Sequence, residues 1–403
     1  MLKNKKIGLF ITGGIASYKM AELSRMLIKK GAEVRVVMSE GAQAFITPLT
    51  MQVSTKHHVI VNTFDEYDPT SVQHIEMADW MDVAIVSPAT ANIISKMATG
   101  IGDDVVSTIL LAKHCPTLVV PAMNTNMYEN PAIQRNLKQL VLDGVTVMEP
   151  EVGYLAEGYE GKGRLPDLDD IVSVLETLVA RNTLPQVLKD KKVVVTAGGT
   201  RERIDPVRYI TNDSSGKMGY AIAQAAQWYG GNVELVSTSK TLSVPTGVNI
   251  TYVESALEMK DAVESHFEEA DYVVMAAAVS DYRVKKQATQ KMKRSGKSGL
   301  EMTIELVENP DILKSLGEKK STQTLIGFAA ETQNILTYAR EKLERKNADW
   351  IIANDVSQEG SGFNVDTNQV TILSRGGREI QLDQMSKLRT AQLIWENITR
   401  ESE

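Results

Sequence analysis

An apolar run ending in a glycine pair occurs twice in the chain, as Lys6 to Thr12 before Gly13-Gly14 and as Lys192 to Thr196 before Gly198-Gly199. Behind each comes a stretch with apolar residues at helical spacing. The first passes through Ala21, Leu23, Met26 and Leu27 to Gly31, and the second runs from Met218 to Tyr229 and stops at Gly230-Gly231. A further apolar run then follows in each case, Val34 to Met38 and Val233 to Val236. Strand, glycine turn, helix and strand in that order make a βαβ unit, whose strands pair in parallel. The pattern continues with runs at Val83 to Val86, Leu118 to Val120 and Val145 to Met148, then at Tyr272 to Met275, Leu325 to Phe328 and Trp350 to Ile352. This alternation predicts an α/β fold of two doubly wound, Rossmann-like domains with mainly parallel sheets. The helical pattern Ile171 to Ala180 leads into Arg181 to Asp190, which holds Pro185, so the domains are expected at residues 1–185 and 190–403. Gln369 to Leu373 and Glu379 to Leu382 flank Gly376-Gly377 and read as a hairpin, and a last amphipathic helix is expected from Met385 to Ile398.

A chain of 403 residues is long enough for two cores of common size. Its net charge of −7 provides no general attraction for nucleic acid or an anionic membrane, so cations matter only locally. The run Ile7 to Thr12 is too short for a signal sequence, and no apolar stretch is long enough to span a bilayer. A cytoplasmic enzyme with no membrane or nucleic-acid partner is expected. The single cysteine, Cys115, cannot form an internal disulfide, and its place before an apolar run points to packing.

A Gly-Gly turn before a helix exposes backbone N–H groups that suit a phosphate, although such turns are as often purely structural. In the first domain, Ser87 to Asn92 and Pro121 to Asn124 follow predicted strands, at the carboxyl ends where ligands bind in this class. His74 lies in a polar stretch before the third strand. These residues, with Gly13-Gly14-Ile15-Ala16 and Gly100-Ile101-Gly102-Asp103-Asp104, resemble the flavin-dependent cysteine decarboxylases, the phosphopantothenoylcysteine decarboxylases in particular. The resemblance implies a flavodoxin-like domain and FMN held by Gly13, Gly14, Ile15, Ala16, Ser39, Ser87, Ala89, Thr90 and Asn92. It further implies His74 as base, Met123 and Asn124 on the substrate, and flavin sites lying between subunits. Where the family usually has a cysteine acid, this chain has Glu157. A carboxylic acid could donate that proton instead. The glycine-rich segment Gly158 to Arg164 reads as a flap or an ordinary loop.

The second Gly-Gly turn opens a long segment, Thr200 to Arg208, Ile210-Thr211-Asn212 and Ser214-Ser215-Gly216-Lys217-Met218-Gly219. Its hydroxyls, amides and cations suit polyphosphate and a phosphorylated acid. This run, with Ala276 to Arg283, Lys291 to Arg294, Asn309 to Ile312, Gly327 to Thr332 and Ala353 to Asp355, resembles phosphopantothenate cysteine ligases. That resemblance implies activation of 4′-phosphopantothenate by CTP to an acyl cytidylate, which cysteine then attacks, with Mg2+ accompanying the triphosphate through ligands that remain unassigned. It places Ala276, Ala277, Ala278, Asp281, Lys291, Asn309, Pro310, Asp311, Ile312, Phe328, Lys342 and Lys346 on CTP, and Arg208 and Asn212 on substrate. Asn212 and Lys291 carry catalytic roles. Lys342 and Lys346 have the i, i+4 spacing that puts both on one helix face, for phosphate or, with Glu341 and Glu344 nearby, as a solvated helix, and the basic stretch Gln287 to Ser298 reads as a lid over anions or a solvated charge run.

Together the two resemblances imply a bifunctional enzyme of coenzyme A biosynthesis, a homo-oligomer through both domains. The alternative is an active ligase fused to a flavin-binding module with altered or regulatory activity. A nicotinamide-dependent dehydrogenase lacks its G-x-G-x-x-G and downstream acidic residue here.

Overall fold

The computed structural model describes residues 1–64, 72–293, 303–331, 335–355 and 365–400. Contacts divide the chain into two compact units, Met1–Thr183 and Leu184–Glu403.

In the first unit, strands β1 (Lys6–Ile11), β2 (Glu33–Met38), β3 (Val83–Ala89), β4 (Thr117–Pro121) and β5 (Thr146–Val147) form one sheet in the order β2-β1-β3-β4-β5. Every pairing in it is parallel, which is the flavodoxin-like arrangement. Side chains alternate across the strands and so divide between two cores. Ile7, Leu9 and Ile11 pack with Leu23, Leu27 and Leu175 on one face, and Phe10, Ala84 and Val86 pack with Ile93, Val106 and Ile109 on the other. Both faces are thus covered, as an all-parallel sheet requires. The covering helices include α1 (Met20–Lys29), α2 (Gln73–Trp80), α3 (Ala91–Thr99), α4 (Val105–Ala112) and α5 (Leu168–Thr183). Cys115 packs against the second of these cores, and burial pushes its thiol pKa up, as expected of an inert residue.

The segment read as a flap or loop is instead an antiparallel hairpin, β6 (Glu151–Tyr154) and β7 (Glu160–Arg164). Two of its glycines allow close approach. A Cβ on Gly161 would lie 2.1 Å from Thr125 Oγ1, and one on Gly163 would lie 2.0 Å from the Met123 carbonyl oxygen. The Met123 amide donates to the Gly163 carbonyl at 3.0 Å, which ties the hairpin to the loop after β4.

The second unit holds an eight-stranded sheet. Its strands are β8 (Lys192–Ala197), β9 (Asn232–Ser237), β10 (Asn249–Tyr252), β11 (Tyr272–Met275), β12 (Thr324–Glu331), β13 (Trp350–Asp355), β14 (Val370–Ser374) and β15 (Glu379–Gln381). The order is β10-β9-β8-β11-β12-β13-β14-β15. Its first six strands are parallel in the Rossmann order, and the expected C-terminal hairpin extends the edge in antiparallel fashion. Helices α6 (Lys217–Trp228), α7 (Ala256–Phe267), α8 (Ile312–Lys319), α9 (Ile335–Arg345) and α10 (Lys387–Thr399) pack about it. The Trp395 indole of α10 is fully buried, stacks edge-on to Tyr272 at 5.5 Å and donates to the Ile222 carbonyl of α6 at 3.1 Å. Truncating it to alanine would cost roughly 3–5 kcal/mol. Gly219 lets α6 press on β8, since a Cβ there would lie 2.6 Å from that of Ala197. No helix among the described residues is long and apolar enough to cross a membrane.

Candidate functional sites

Each unit carries its main cavity at the carboxyl edge of its parallel strands. In the first unit the cavity holds about 1140 Å³ and is lined by Gly13, Gly14, Ile15, Ala16, Ser39, Thr90, Asn92, Met123, Asn124 and Glu157 among others. Thr12 clamps the edge together, its hydroxyl donating to the Pro88 carbonyl at 2.7 Å and accepting from the Thr90 amide at 3.1 Å. The Thr90 hydroxyl caps α3, whose N-terminus therefore opens on the cavity beside Asn92. Backbone amides and hydroxyls at one end, with Met123, Met127, Leu155 and Leu165 also on the lining, suit a ligand that joins a phosphate to a flat ring system.

Asn124 caps the following helical turn, and its side-chain oxygen accepts from the Asn126 amide at 2.9 Å. That leaves its NH2 group for the cavity, where it donates to Glu157 Oε1 at 3.1 Å and to the Tyr159 hydroxyl at 2.5 Å. Tyr159 went unnoticed in the sequence because a lone aromatic residue in a glycine-rich segment carries no motif. Lys96 also lines this cavity, with Asp103 at 2.5 Å and Asp104 at 2.6 Å. Burial lowers the Lys96 pKa, but the bonds to the two carboxylates outweigh it and leave the ammonium above its usual value.

Three expected residues do not reach the cavity. Ser87 and Ala89 lie inside β3, fully buried, because the strand runs further than the sequence suggested and turns their side chains into the protein interior. His74, near the start of α2, is absent from the lining, and its Nδ1 is buried with no hydrogen-bond partner among the described residues.

The second unit has two adjoining cavities, of about 720 Å³ and 500 Å³, whose walls share Ala277, Val279, Asp281, Phe328 and Lys342. The larger is lined further by Thr211 to Gly219, Ala276, Ala278, Asn354, Asn368 and Lys387. The smaller includes Asn309, Pro310, Asp311, Ile312 and Lys346. The Asn212 side-chain amide donates to the Val279 carbonyl at 3.2 Å, which joins two segments of the larger cavity. Gly199 permits this approach, because a Cβ there would lie 2.4 Å from the Asn212 carbonyl oxygen. Asn309 donates to the Ser280 carbonyl at 2.8 Å through its side chain and to the Asp281 carbonyl at 2.7 Å through its backbone.

Lys342 and Lys346 do share a face of α9 and both line the smaller cavity. Lys342 donates to the Phe328 carbonyl at 2.7 Å, and Lys346 pairs with Asp311. Burial pulls the Lys346 pKa down, opposed by the nearby charge of Asp281. Arg208 and Lys291 line neither cavity: Arg208 donates to the Met292 carbonyl at 2.8 Å, and Lys291 is exposed. Much of the expected lid, including Arg294, lies outside the described residues. Lys217, from the segment expected to suit polyphosphate, and Lys387, which was not among the expected site residues, both line the larger cavity. Lys387 is far along the chain from the motifs that mark the site. No cluster of three or more His, Cys, Asp or Glu side chains placed to hold a metal occurs among the described residues.

Comparison with known families matches residues 1–180 to the flavoprotein family. Residues 188–401 match the DNA/pantothenate metabolism flavoprotein C-terminal domain. The coenzyme A biosynthesis bifunctional protein CoaBC of Bacillus subtilis is 48% identical over 389 residues, covering 96% of this chain and 95% of its own length. That of Escherichia coli K12 is 42% identical over 403 residues, covering 100% and 98%. Among solved structures, the C-terminal domain of a CoaBC protein is 43% identical, covers 54% of this chain and 97% of its own, and has a TM-score of 0.46. A PPC decarboxylase mutant complexed with pantothenoylaminoethenethiol is 28% identical, covers 43% and 97%, and has a TM-score of 0.40.

Proposed function

Because the chain belongs to the family of coenzyme A biosynthesis bifunctional proteins, we propose that its second unit makes 4′-phosphopantothenoylcysteine and its first unit decarboxylates that product to 4′-phosphopantetheine. The chain is an enzyme with decarboxylase and ligase activities, and relatives matched over nearly its whole length bear the bifunctional name. The reading of the first unit as a regulatory flavin module finds no support among them.

The observation that carries the ligase reading is the larger cavity of the second unit, which brings Asn212, Ala276 to Ala278, Asp281, Phe328 and Lys342 to one wall from separate chain segments. A carboxylate resists attack by an amine, so it must first acquire a leaving group. CTP supplies that group, with its triphosphate escorted by Mg2+. Asn212 is positioned to hold the acyl carbonyl as the cysteine amine attacks, and Lys342 and Lys346 to balance negative charge on the nucleotide. Lys291 and Arg208, which line neither cavity, are assigned to CTP and to substrate on the family resemblance alone.

In the first unit, the amide-rich edge and the apolar side chains of the cavity fit FMN, with Gly13, Gly14, Ser39, Thr90 and Asn92 to hold it. Bound FMN supplies a two-electron oxidation of the thiol-bearing carbon, which makes loss of the neighbouring carboxylate feasible. Asn124 holds that carboxylate, and Glu157 gives a proton to the substrate carbon. We assign His74 to the cavity of a neighbouring copy. Its position outside its own cavity supports this, as do the exposed Ile15 and Tyr18 on the cavity lining. A coupled assay with 4′-phosphopantothenate, cysteine, CTP and FMN tests both halves. Pyrophosphate must appear only with phosphopantothenate present, and 4′-phosphopantetheine must follow; pyrophosphate without the acid would refute the ligase assignment.

A further inference from the structure

Residues Arg201–Arg203 and Tyr209–Thr211 of the second unit pair as a short antiparallel hairpin, and the Ile204 amide closes the turn between them by donating to the Arg208 carbonyl at 2.9 Å. The base of this hairpin reaches the larger cavity, which Thr211 and Asn212 line. Its tip carries Asp205, whose side chain is fully buried. One carboxylate oxygen, Oδ1, accepts from the Val207 and Arg208 amides, both at 2.8 Å. Shaping a turn in this way needs a single side-chain oxygen, and asparagine would supply it equally well. The second oxygen, Oδ2, reaches another part of the chain, accepting from the Met292 amide at 3.2 Å, with Arg208 Nε 3.7 Å away. The Arg208 guanidinium in turn donates to the Met292 carbonyl at 2.8 Å, and the Ala288 amide donates to the Ile204 carbonyl at 2.9 Å. The tip thus grips the stretch Ala288 to Met292 at both ends, with the exposed Lys291 held between them. Burial works to raise the Asp205 pKa, but the three amide bonds and the Arg208 charge prevail and hold the carboxyl below its usual value. Both oxygens therefore remain acceptors at neutral pH.

We propose that Asp205 is a positioning residue of the ligase, which fixes the backbone on either side of Lys291 and so sets where that ammonium meets the nucleotide. An ammonium on a long side chain is placed only as well as the backbone that bears it. Asp205 fixes the Met292 N–H directly and, by ordering the turn, holds the Arg208 guanidinium against the Met292 carbonyl. The nucleotide role of Lys291 rests on the ligase reading, whereas the grip of Asp205 on Met292 does not.

The test uses full-length Asp205→Asn, which can keep the oxygen that shapes the turn but offers the Met292 N–H an NH2 group instead of an acceptor. Without ligand, deuterium exchange over Ala288 to Met292 should quicken at least about tenfold in the variant, with exchange in the strand Val193 to Val195 unchanged. In the ligase assay, kcat/KM for CTP should fall about tenfold. Lys291→Gln should fall at least as far, and the double variant no further than Lys291→Gln alone, because nothing is left for Asp205 to position. Losses that multiply in the double variant would make Asp205 merely structural and overturn the proposal, as would unchanged exchange over Ala288 to Met292. Should Asp205→Asn fail to fold by circular dichroism, Asp205→Ser, whose hydroxyl can also shape the turn, decides by the same criteria. A wild type that makes no acyl cytidylate would refute the ligase reading, while the exchange comparison would still decide whether Asp205 holds the segment.

Discussion

The side-chain amide of Asn124 donates to Glu157 Oε1 at 3.1 Å, so the acidic residue at the usual cysteine position meets the group assigned to the substrate carboxylate. Both residues lie on one cavity lining. If Glu157 is the acid that completes the reaction, Glu157→Gln should leave carbon dioxide release in a first turnover intact. Formation of 4′-phosphopantetheine should fall by roughly 10²–10⁴-fold, and Glu157→Cys should restore it. Equal loss of both products would place Glu157 earlier in the sequence of steps.

Tyr159 accepts the other N–H of Asn124 at 2.5 Å. Tyr159→Phe removes one hydrogen bond worth about 1 kcal/mol, so KM for phosphopantothenoylcysteine should rise about fivefold with kcat little changed. A drop confined to kcat would contradict this positioning role.

Lys346 loses its proton more readily than an exposed lysine because burial disfavours its charge. The KM for CTP should therefore begin to climb at a pH below the ordinary lysine value of about 10.4. Lys346→Gln should raise that KM by roughly 10–100-fold at neutral pH and flatten the alkaline rise. Initial rates between neutral and alkaline pH measure both, and an alkaline rise undiminished in the variant would assign the titration to another group.

Asp104 caps α4, accepting from the Ser107 amide at 2.8 Å, and binds the Lys96 ammonium at 2.6 Å. Burial works to raise its pKa, but the bonds from Lys96 and Ser107 prevail and hold the carboxyl below its usual value. A depressed folded pKa adds stability above the unfolded value, and this is lost as pH falls through the folded one. Asp104→Ala should cost about 1–2 kcal/mol at neutral pH, with the gap to wild type closing below roughly pH 4. Urea unfolding at the two pH values checks this, and a gap independent of pH would refute it.

Two glycines of positive φ separate crowding from backbone strain. Gly100 has φ of 72° with nothing near its absent Cβ, whereas Gly163 would place a Cβ 2.0 Å from the Met123 carbonyl oxygen. Gly100→Ala should cost about 1–2 kcal/mol, and Gly163→Ala distinctly more, read as the difference in thermal midpoint. Equal losses would mean that the loop after β4 yields easily.

The architecture was legible because it rests on local patterns. Apolar runs such as Val193 to Val195 and the helical spacing behind Gly13-Gly14 and Gly198-Gly199 are written in consecutive residues, and parallel pairing follows from their order. Motif residues such as Asn124 and Asn212 could be placed near strand ends for the same reason. The hairpin Glu151 to Arg164 was missed because glycine in sequence signals freedom, whereas Gly161 and Gly163 are there to admit Thr125 and Met123. Lys387 was missed because its contribution depends on where α10 begins against α6, which no short window contains. Ser87 shows the converse error, in which a polar residue near a strand end faces inward.

The bond from the Met123 amide to the Gly163 carbonyl has a consequence for ligand design. It holds one wall of the first cavity in shape before anything binds, so that wall offers little induced fit and little entropy to be lost on association. The Met123 amide should accordingly resist deuterium exchange in the free protein. Rigid, preshaped inhibitors should then outperform flexible ones of equal contact area.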